Sequence, residues 1–341
     1  MTVIDADAHV VECPHTWDYL EPAEAAFRPE LVTVPNRSGR ESLWWFIDGR
    51  LANTGPVSFT DTVKAIRELE DVPGRLAHMD ELGTDIQVLF PTLFLRPLTT
   101  RPEVERALYR SYNRWLADRC GVSDGRLRWA VAAPVMSMDA AIEELRFGKE
   151  HGACGVFIRG LEGDRSPSSP YYEPLYQAAQ DLDLPICIHA ANGSFQAHDL
   201  LADDPGFWRF KFPGINAFHT LITKDVPARF PRLRFGFVEL SAQWVPYAVH
   251  DLRRRAQRQE RPLPANLLAA NRIYVACQTD DDLPYVLQYA GEDNLIAGTD
   301  YGHADTSSEL EALRSLQTDP RVARPVMDKI LGANAAALYG L

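Results

Sequence analysis

Short apolar runs alternate with amphipathic stretches along almost the whole chain of 341 residues. Eight of these runs are apolar on both faces, which is typical of strands buried in a parallel sheet. They lie at residues 2–9, 85–92, 126–135, 154–160, 185–190, 234–240, 272–277 and 294–300. The amphipathic stretches predict helices at 103–119, 138–151, 171–182, 214–229, 243–259, 281–290 and 305–316. A strand–helix–strand rhythm of this kind predicts repeated βαβ units.

Eight such strands predict an α/β fold, and eight is the number that a closed (β/α)8 TIM barrel requires. A doubly wound open sheet is the alternative. No glycine-rich phosphate loop follows the first strand, which argues against a dinucleotide-binding version of that sheet. We therefore expect residues 1–341 to form one TIM-barrel domain.

The region from about residue 13 to 75 interrupts the rhythm. Its segment "ESLWWFIDGRLANTG" (41–55) carries Asp48-Gly49, a favourable hairpin turn, between two strand-like arms. We interpret this region as an insertion after the first strand that covers the barrel mouth. A second long irregular segment, 191–214, follows the fifth strand, and long connections in compact domains are usually lids or binding loops. Aromatic residues could line an apolar pocket there or be ordinary core and lid residues; they are Trp44, Trp45, Phe94, Phe195, Phe207 and Trp208.

The formal net charge of -12 argues against nucleic acid or an anionic membrane surface as the main partner. No apolar run is long enough for a membrane span, and the first residues lack the pattern of a signal peptide. Five cysteines occur without a CxxC pair, and several lie in apolar strand-like runs. We therefore expect a cytoplasmic protein with reduced, buried thiols.

Ionisable side chains stand at the carboxyl ends of the predicted strands. Asp7 and His9 end the first strand, His189 the fifth, Glu239 the sixth and Asp300 the eighth. Any one of them could be a satisfied structural group. In a barrel of parallel strands, however, all these ends meet at the face where active sites lie. The pattern therefore predicts one shared site.

The first two of these residues are two positions apart on a strand, so Asp7 and His9 point the same way and can share one ion. With His189 and Asp300 they supply two imidazoles and two carboxylates, a set that suits Zn²⁺ best and tolerates Mn²⁺ or Fe²⁺. A bound ion would hold a water and lower its pKa. Asp5 lies deeper on the same face, where its carboxylate needs hydrogen bonds.

A carbamylated lysine that bridges two metal ions would be expected at the end of the fourth strand. That strand ends in Arg159, and the chain's five lysines lie away from the strand ends. We therefore expect one divalent ion rather than two. Arg159 could anchor a substrate carboxylate through its guanidinium fork, or it could form a salt bridge within the barrel rim.

Six motifs resemble the amidohydrolase superfamily, in its aminocarboxymuconate-semialdehyde decarboxylase-like branch of metal-dependent hydrolases. They are "IDADAHVVE" with the following Trp17, "HMDELGTDIQVLFPT" (78–92), "ICIHA" (186–190), "RFPRLRFGFVELSAQWVPY" (229–247), "GEDNLIAGTDYGHAD" (291–305) and "KILGANAAALYGL" (329–341). The resemblance implies a TIM barrel with one catalytic divalent ion, and it matches Asp7, His9, His189 and Asp300 to the family's ligand positions. It also implies a homodimer or higher homo-oligomer, and hydrolysis or nonoxidative decarboxylation of small, often aromatic, carboxylic acids.

One departure from the family pattern concerns the sixth strand, where several decarboxylases of the branch carry a histidine and this chain has Glu239. Glu239 could orient a metal-bound water, bind a cationic or hydroxyl group of the substrate, or cap the following helix. His219, on the preceding helix, could restore a histidine near the metal or be a partly buried helix residue. His303 could contact the substrate or form a hydrogen bond with Asp305.

These observations predict a metal-dependent hydrolase of a small carboxylate-bearing or aromatic substrate. Asp300 would take the proton from the metal-bound water and return it to the leaving group. The alternative is a decarboxylase, in which the metal chelates the substrate and Asp300 protonates the ring carbon as CO₂ leaves. A third reading is a barrel that binds a small molecule without catalysis, against which the intact ligand set argues.

Overall fold

The computed structural model describes residues 2–35, 41–53, 62–200, 203–204, 206–303 and 306–341. Within these residues the chain forms eleven strands. They are β1 (Ile4–Val10), β2 (Glu30–Pro35), β3 (Glu41–Ile47), β4 (Arg50–Asn53), β5 (Ile86–Pro91), β6 (Leu127–Ala132), β7 (Ala153–Arg159), β8 (Ile186–His189), β9 (Phe235–Val238), β10 (Ile273–Cys277) and β11 (Leu295–Ala297).

Eight of the strands form one parallel sheet in the order β1-β5-β6-β7-β8-β9-β10-β11. Ala8 on β1 forms a parallel bridge with Tyr301, just beyond β11. There the amides of His9 and Asp300 donate to the carbonyls of Tyr301 and Asp7, each at 2.8 Å. These bonds join the first strand to the last, so the sheet closes into the predicted TIM barrel, and all eight predicted barrel strands are confirmed.

Helices connect successive barrel strands. They are α1 (Lys64–Arg67), α2 (Val72–Leu82), α3 (Pro102–Gly121), α4 (Met138–Glu150), α5 (Glu173–Asp181), α6 (Phe195–Leu200), α7 (Phe212–Thr223), α8 (Val226–Arg229), α9 (Val245–Arg258), α10 (Leu267–Ala270), α11 (Leu283–Ala290), α12 (Ala312–Gln317), α13 (Arg324–Asp328) and α14 (Asn334–Tyr339). Single turns of 3₁₀-helix span Pro14–Trp17, Pro22–Phe27, Leu93–Leu95 and Pro170–Tyr172, and π-helical turns span Phe207–Lys211 and Lys329–Ala333.

The helix predicted over 214–229 is two helices in the structure. Asp225 has a φ of 56°, in the left-handed region, and this breaks the chain between α7 and α8. The helix predicted over 305–316 is realised only as α12, because the preceding described residues form turns.

Strands β2, β3 and β4 form a separate antiparallel sheet after β1. Its β3–β4 hairpin turns at Asp48 and Gly49, whose φ angles of 46° and 78° suit a two-residue hairpin loop. The hairpin prediction is therefore confirmed. β2 was not predicted, because its alternately exposed residues give no continuous apolar run.

The small sheet lies against the segment that leaves β5 at its carboxyl end. The Trp45 ring packs edge-on against Trp17 at 5.8 Å between centroids, and Trp17 packs against Phe94 at 6.3 Å. The Asp48 carboxylate accepts hydrogen bonds from Thr99 at 2.6 Å and Arg101 at 2.9 Å. The extent of the insertion and the single-domain assignment stay predictions.

The last helix, α14, forms hydrogen bonds with β1 and β11. The Tyr339 hydroxyl donates to the carbonyl of Ala6 at 2.8 Å, and the Asn334 amide donates to that of Leu295 at 2.7 Å. The five cysteines are buried, and none forms a disulfide. Across the part of the chain that the structure describes, no helix has the length and apolar character to cross a membrane.

Candidate metal centre

Strand β1 carries two of the predicted ligands into the barrel mouth. All its residues are buried, and its alternation directs Asp7 and His9 to the same side, with His9 Nε2 at 3.7 Å from Asp7 Oδ1. Gly298 allows the neighbouring chain to approach at this point, because a Cβ at that position would lie 2.3 Å from the Cβ of Asp7. The residue types on both strands therefore permit this close arrangement.

The imidazole of His9 is held in one orientation. Its Nδ1 lies 3.1 Å from the carbonyl of Pro91, and because a carbonyl only accepts, Nδ1 carries the proton. The Nε2 lone pair then faces Asp300 Oδ1 at 3.2 Å and the carboxylate oxygens of Asp7 and Glu239, each at 3.7 Å. Burial, with the neighbouring histidines, lowers the pKa of His9 well below its usual value, so the ring is neutral.

This arrangement fits a cation. Within the described residues, neither His9 Nε2 nor Asp300 Oδ1 has a hydrogen-bond partner, although both atoms are buried. The His9 lone pair and the carboxylate oxygens around it repel one another, and a divalent ion between them would reverse the sign of that interaction. A cavity of about 10 Å³, lined in part by Asp7, Glu239 and Asp300, has room for one small ion or water.

His189, at the end of β8, completes the predicted set. Its Nε2 lies 3.3 Å from Asp7 Oδ1, and its Nδ1 lies 3.4 Å from Glu239 Oε2. The candidate ligand atoms form two groups, each within 4.8 Å, that share His9. One group contains Asp7, His9 and His189, and the other contains His9, Glu239, Asp300 and His303. The four predicted ligands therefore meet in space, and the cluster can hold a divalent metal ion.

Glu239 lies beside this cluster rather than at the start of a helix. It is buried, and α9 begins only at Val245, so the capping interpretation does not describe its position. Glu239 and Asp300 have φ angles of 59° and 51°, in the left-handed region that residues other than glycine adopt rarely. Backbone strain of this kind concentrates at functional sites.

Asp300 is oriented by one hydrogen bond and lies in contact with His303. The Ser308 hydroxyl donates to Oδ2 at 2.6 Å, and His303 Nδ1 lies 2.8 Å from Oδ1. The ring of His303 also stacks on that of His9, with 3.8 Å between centroids. His303 therefore belongs to the cluster, and the hydrogen bond expected between His303 and Asp305 lies outside the described residues.

Thr92 determines the tautomer of His303. Thr92 was not among the site residues predicted from the sequence. Its hydroxyl donates to the carbonyl of Val10 at 2.8 Å and lies 2.9 Å from His303 Nε2. Because the Thr92 hydroxyl donates its proton to the Val10 carbonyl, it accepts a hydrogen bond from Nε2–H of His303. The Nδ1 atom of the neutral ring then carries a lone pair and faces Asp300. Thr92 follows the last residue of β5, so the rule that identified the other strand ends applies to it as well.

Two buried carboxylates support the cluster. Glu12 accepts from the amides of Thr92 at 3.1 Å and Leu93 at 2.8 Å, and burial raises its pKa to about 7. Asp5 accepts from the amide of Thr299 at 3.0 Å and its hydroxyl at 2.6 Å, and burial raises its pKa to about 6. The buried carboxylate of Asp5 therefore has the hydrogen bonds that the sequence predicted it would need.

The guanidinium of Arg159 forms contacts within the barrel rim. It is buried, and its guanidinium forms an ion pair with Glu162, with Nη2 at 2.5 Å from Oε2. Its Nη1 donates to the carbonyls of Phe94 at 3.2 Å and Arg96 at 2.9 Å. These contacts favour the second reading, a salt bridge within the rim, and they also connect the segment after β5 to β7. The role of Arg159 as a substrate anchor stays a prediction.

His219 is not part of the cluster. It lies on α7, and its Nε2 is 3.0 Å from the Asp251 carboxylate on α9. This contact between two helices favours the reading of His219 as a partly buried helix residue, and a role near the metal stays a prediction.

The sequence is similar to that of a characterised enzyme over part of its length. It is 31% identical over 150 residues to γ-resorcylate decarboxylase of Rhodococcus jostii, which covers 40% of this chain and 44% of that protein. The chain thus matches less than half of the relative's length.

Solved structures share the fold. An amidohydrolase of Mycobacterium avium subsp. paratuberculosis superposes with a TM-score of 0.80 at 20% identity, over 100% of this chain and 98% of that one. The 5-carboxyvanillate decarboxylase of Novosphingobium aromaticivorans, solved with manganese and 4-hydroxy-3-methoxy-5-nitrobenzoic acid, gives 0.71 at 19% identity over 100% and 96%. At such identities the likeness concerns the fold.

The family relationship rests on the sequence as a whole. A family model described as amidohydrolase matches residues 4–341, which covers all eight barrel strands and every predicted ligand. This chain therefore belongs to the amidohydrolase family and is an enzyme of the amidohydrolase superfamily.

Proposed function

We propose that this enzyme is a metal-dependent nonoxidative decarboxylase of a small aromatic carboxylic acid. The observation that carries the proposal is the partial sequence similarity to γ-resorcylate decarboxylase, in a chain whose His9 lone pair faces three carboxylate oxygens. The sequence alone favoured hydrolysis, with decarboxylation as the alternative. The similarity moves the preference to the alternative.

Asp7, His9, His189 and Asp300 would hold the ion, with Glu239 beside them. When bound, a divalent ion here would neutralise the negative charge of the cluster and orient a substrate carboxylate together with an adjacent oxygen. We now prefer Mn²⁺ to Zn²⁺, because a mixed imidazole and carboxylate set accepts it and the 5-carboxyvanillate decarboxylase was solved with manganese.

Asp300 would act as the proton donor. A proton from its carboxyl group adds to the ring carbon that carries the carboxylate. The bond between that carbon and the carboxylate carbon then breaks, its electron pair returns to the ring, and CO₂ leaves. Solvent restores the proton on Asp300, so the net reaction consumes one proton and no water.

Two residues would orient the carboxyl group of Asp300 during the proton transfer. Ser308 donates a hydrogen bond to Oδ2. The Nδ1 lone pair of His303, whose tautomer Thr92 determines, would accept a hydrogen bond from Oδ1–H while Asp300 carries its proton. Because the cluster is buried, a proton moved here meets fixed dipoles rather than bulk water, which strengthens electrostatic stabilisation.

The test is turnover of a panel of hydroxylated benzoic acids by the Mn²⁺-loaded enzyme, with CO₂ release and product mass measured together. In D₂O we expect one deuterium at the carbon that loses the carboxylate. Products that gain the elements of water, without CO₂, would overturn decarboxylation in favour of hydrolysis. Asp300→Asn should abolish CO₂ release, while Asp293→Asn, a control at an exposed carboxylate that pairs with Lys329, should not.

A further inference from the structure

A cavity of about 420 Å³ lies at the carboxyl end of the barrel, outside the candidate metal centre. Its walls come from the β3–β4 hairpin, from residues 96–98 after β5, and from five residues after β8, which are Phe195, His198, Asp199, Arg209 and Phe210. The insertion that forms the hairpin follows β1, so the three walls follow β1, β5 and β8. His9 and His189 lie at the ends of β1 and β8, and Thr92 comes directly after β5. The cavity therefore lies on the face of the barrel where the cluster lies, and its size suits a small organic ligand.

The cavity concentrates positive charge in an acidic protein. Arg50, Arg96 and Arg209 line it, and within the described residues no carboxylate forms an ion pair with any of the three. Asp199, the acidic lining residue, is exposed. The nearby Asp204 carboxylate accepts from main-chain amides, including that of Arg209, rather than from a guanidinium.

Aromatic rings support the arginines. The Arg50 guanidinium lies 4.2 Å from the ring centroid of Phe195, and those of Arg96 and Arg209 lie 6.0 Å and 5.7 Å from that of Phe210. Among the described residues, the Arg209 guanidinium donates to the carbonyl of Asp204 at 3.0 Å, and its buried Nε has no partner. Donor capacity thus remains for a ligand that brings acceptors.

Hydrogen bonds to the main chain hold the segment that carries Arg96. The buried Arg159 donates to the main-chain carbonyl of Arg96 at 2.9 Å, and the amide of Asn192 donates to that of Leu95 at 3.2 Å. The segments after β5, β7 and β8 are therefore bonded together beneath the cavity. A guanidinium on such a fixed segment needs little reorganisation to bind a carboxylate, for which its planar fork is matched.

We propose that this cavity is a subsite for a second anionic group of the substrate, a carboxylate held by Arg96 and Arg209, with the substrate's ring among Phe195 and Phe210. The inference rests on the proposed function, in which the first carboxylate goes to the metal centre. It narrows the substrate class to aromatic acids that carry two anionic groups.

The test compares the affinities of isophthalate, terephthalate and benzoate for the Mn²⁺-loaded enzyme by calorimetric titration. The two dicarboxylates sample two spans between the anionic groups. We expect one of them to bind at least about tenfold more tightly than benzoate, as a charge-assisted carboxylate–guanidinium contact would give. Arg96→Gln and Arg209→Gln should each remove most of that advantage and leave the metal content unchanged.

Arg258→Gln, an exposed arginine on α9, is the matched control and should keep the wild-type preference. Thermal melting of each variant shows that it is folded, and the two cavity variants test the subsite independently. Equal affinities for benzoate and both dicarboxylates, or a preference that survives in both cavity variants, would overturn the subsite. Because binding is measured without turnover, a failure to release CO₂ would instead count against the proposed function alone.

Discussion

His9 Nε2 lies 3.2 Å from Asp300 Oδ1, across the seam where the first and last strands close the barrel. Both atoms are buried, and within the described residues neither has a hydrogen-bond partner. With a neutral His9 this contact joins a lone pair to a carboxylate oxygen, and it is repulsive until a cation stands between them. Metal binding and closure of the barrel are therefore coupled at this pair.

The first prediction follows from that coupling. Adding Mn²⁺ to metal-free protein should raise the free energy of unfolding, by about 4 kcal/mol at a thousand times the dissociation constant. Asp300→Asn should remove most of the gain, and Asp293→Asn, an exposed carboxylate, should keep it. Urea unfolding with and without the ion measures this. A gain that Asp300→Asn leaves intact would show that the ion binds elsewhere.

The second prediction concerns Thr92 and His303. Thr92→Val keeps the shape of the side chain but loses the acceptor for His303 Nε2–H, so His303 no longer has a fixed tautomer beside Asp300. Loss of an outer hydrogen bond of this kind costs about 10- to 100-fold in activity or metal affinity. Thr92→Ser retains the hydroxyl and should retain most of the turnover. Steady-state kinetics at saturating metal compare the two, and equal rates for Val and Ser would contradict the role.

Strands and ligands were predictable for one physical reason. A strand buried on both faces, such as β7 or β8, must be an apolar run, and a polar residue at its carboxyl end can be satisfied only at the barrel mouth. His189 and Asp300 could therefore be placed from the sequence alone. Their roles as metal ligands stay proposals.

Contacts between distant segments were not predictable in this way. The orientation of Asp300 depends on a hydrogen bond from Ser308, which lies in a loop without hydrophobic periodicity. The ring of His219 contacts the carboxylate of Asp251, which lies on another helix. Arg159 is different, because Glu162 follows it by three residues and the sequence contained the partner. The fork geometry that suggested a substrate carboxylate is satisfied by that internal one.

The third prediction is a pH dependence of stability from Glu105 on α3. Its carboxylate accepts from the amide of Met136 at 2.7 Å, and burial raises its pKa from 4.5 to about 7. Between these values the folded protein holds a proton that the unfolded chain releases. The free energy of unfolding therefore falls as the pH rises through this window, by about 3 kcal/mol for this group alone.

Glu105→Gln removes the titrating group and keeps an acceptor for Met136. Relative to the wild type, the variant should gain stability as the pH is raised through the same window, and urea unfolding at several pH values follows this difference. Glu103→Gln, on the exposed first turn of the same helix, is the control and should show no such gain, since the pKa of Glu103 is lowered. A constant difference between Glu105→Gln and wild type would contradict the prediction.

The last prediction separates the two readings of Arg159. If its guanidinium holds the rim together, Arg159→Met leaves the Glu162 carboxylate buried and uncompensated, and breaking such a pair costs about 3–5 kcal/mol of folding stability. The double variant Arg159→Met with Glu162→Leu removes both charges and should recover much of that loss, so a double-mutant cycle in urea gives a large coupling energy. A substrate anchor predicts the opposite pattern, a higher KM at unchanged stability, and no recovery when Glu162 is also replaced. Measuring unfolding and KM on the same four proteins decides between them, because the ion pair couples Arg159 to the fold while an anchor would couple it to the ligand.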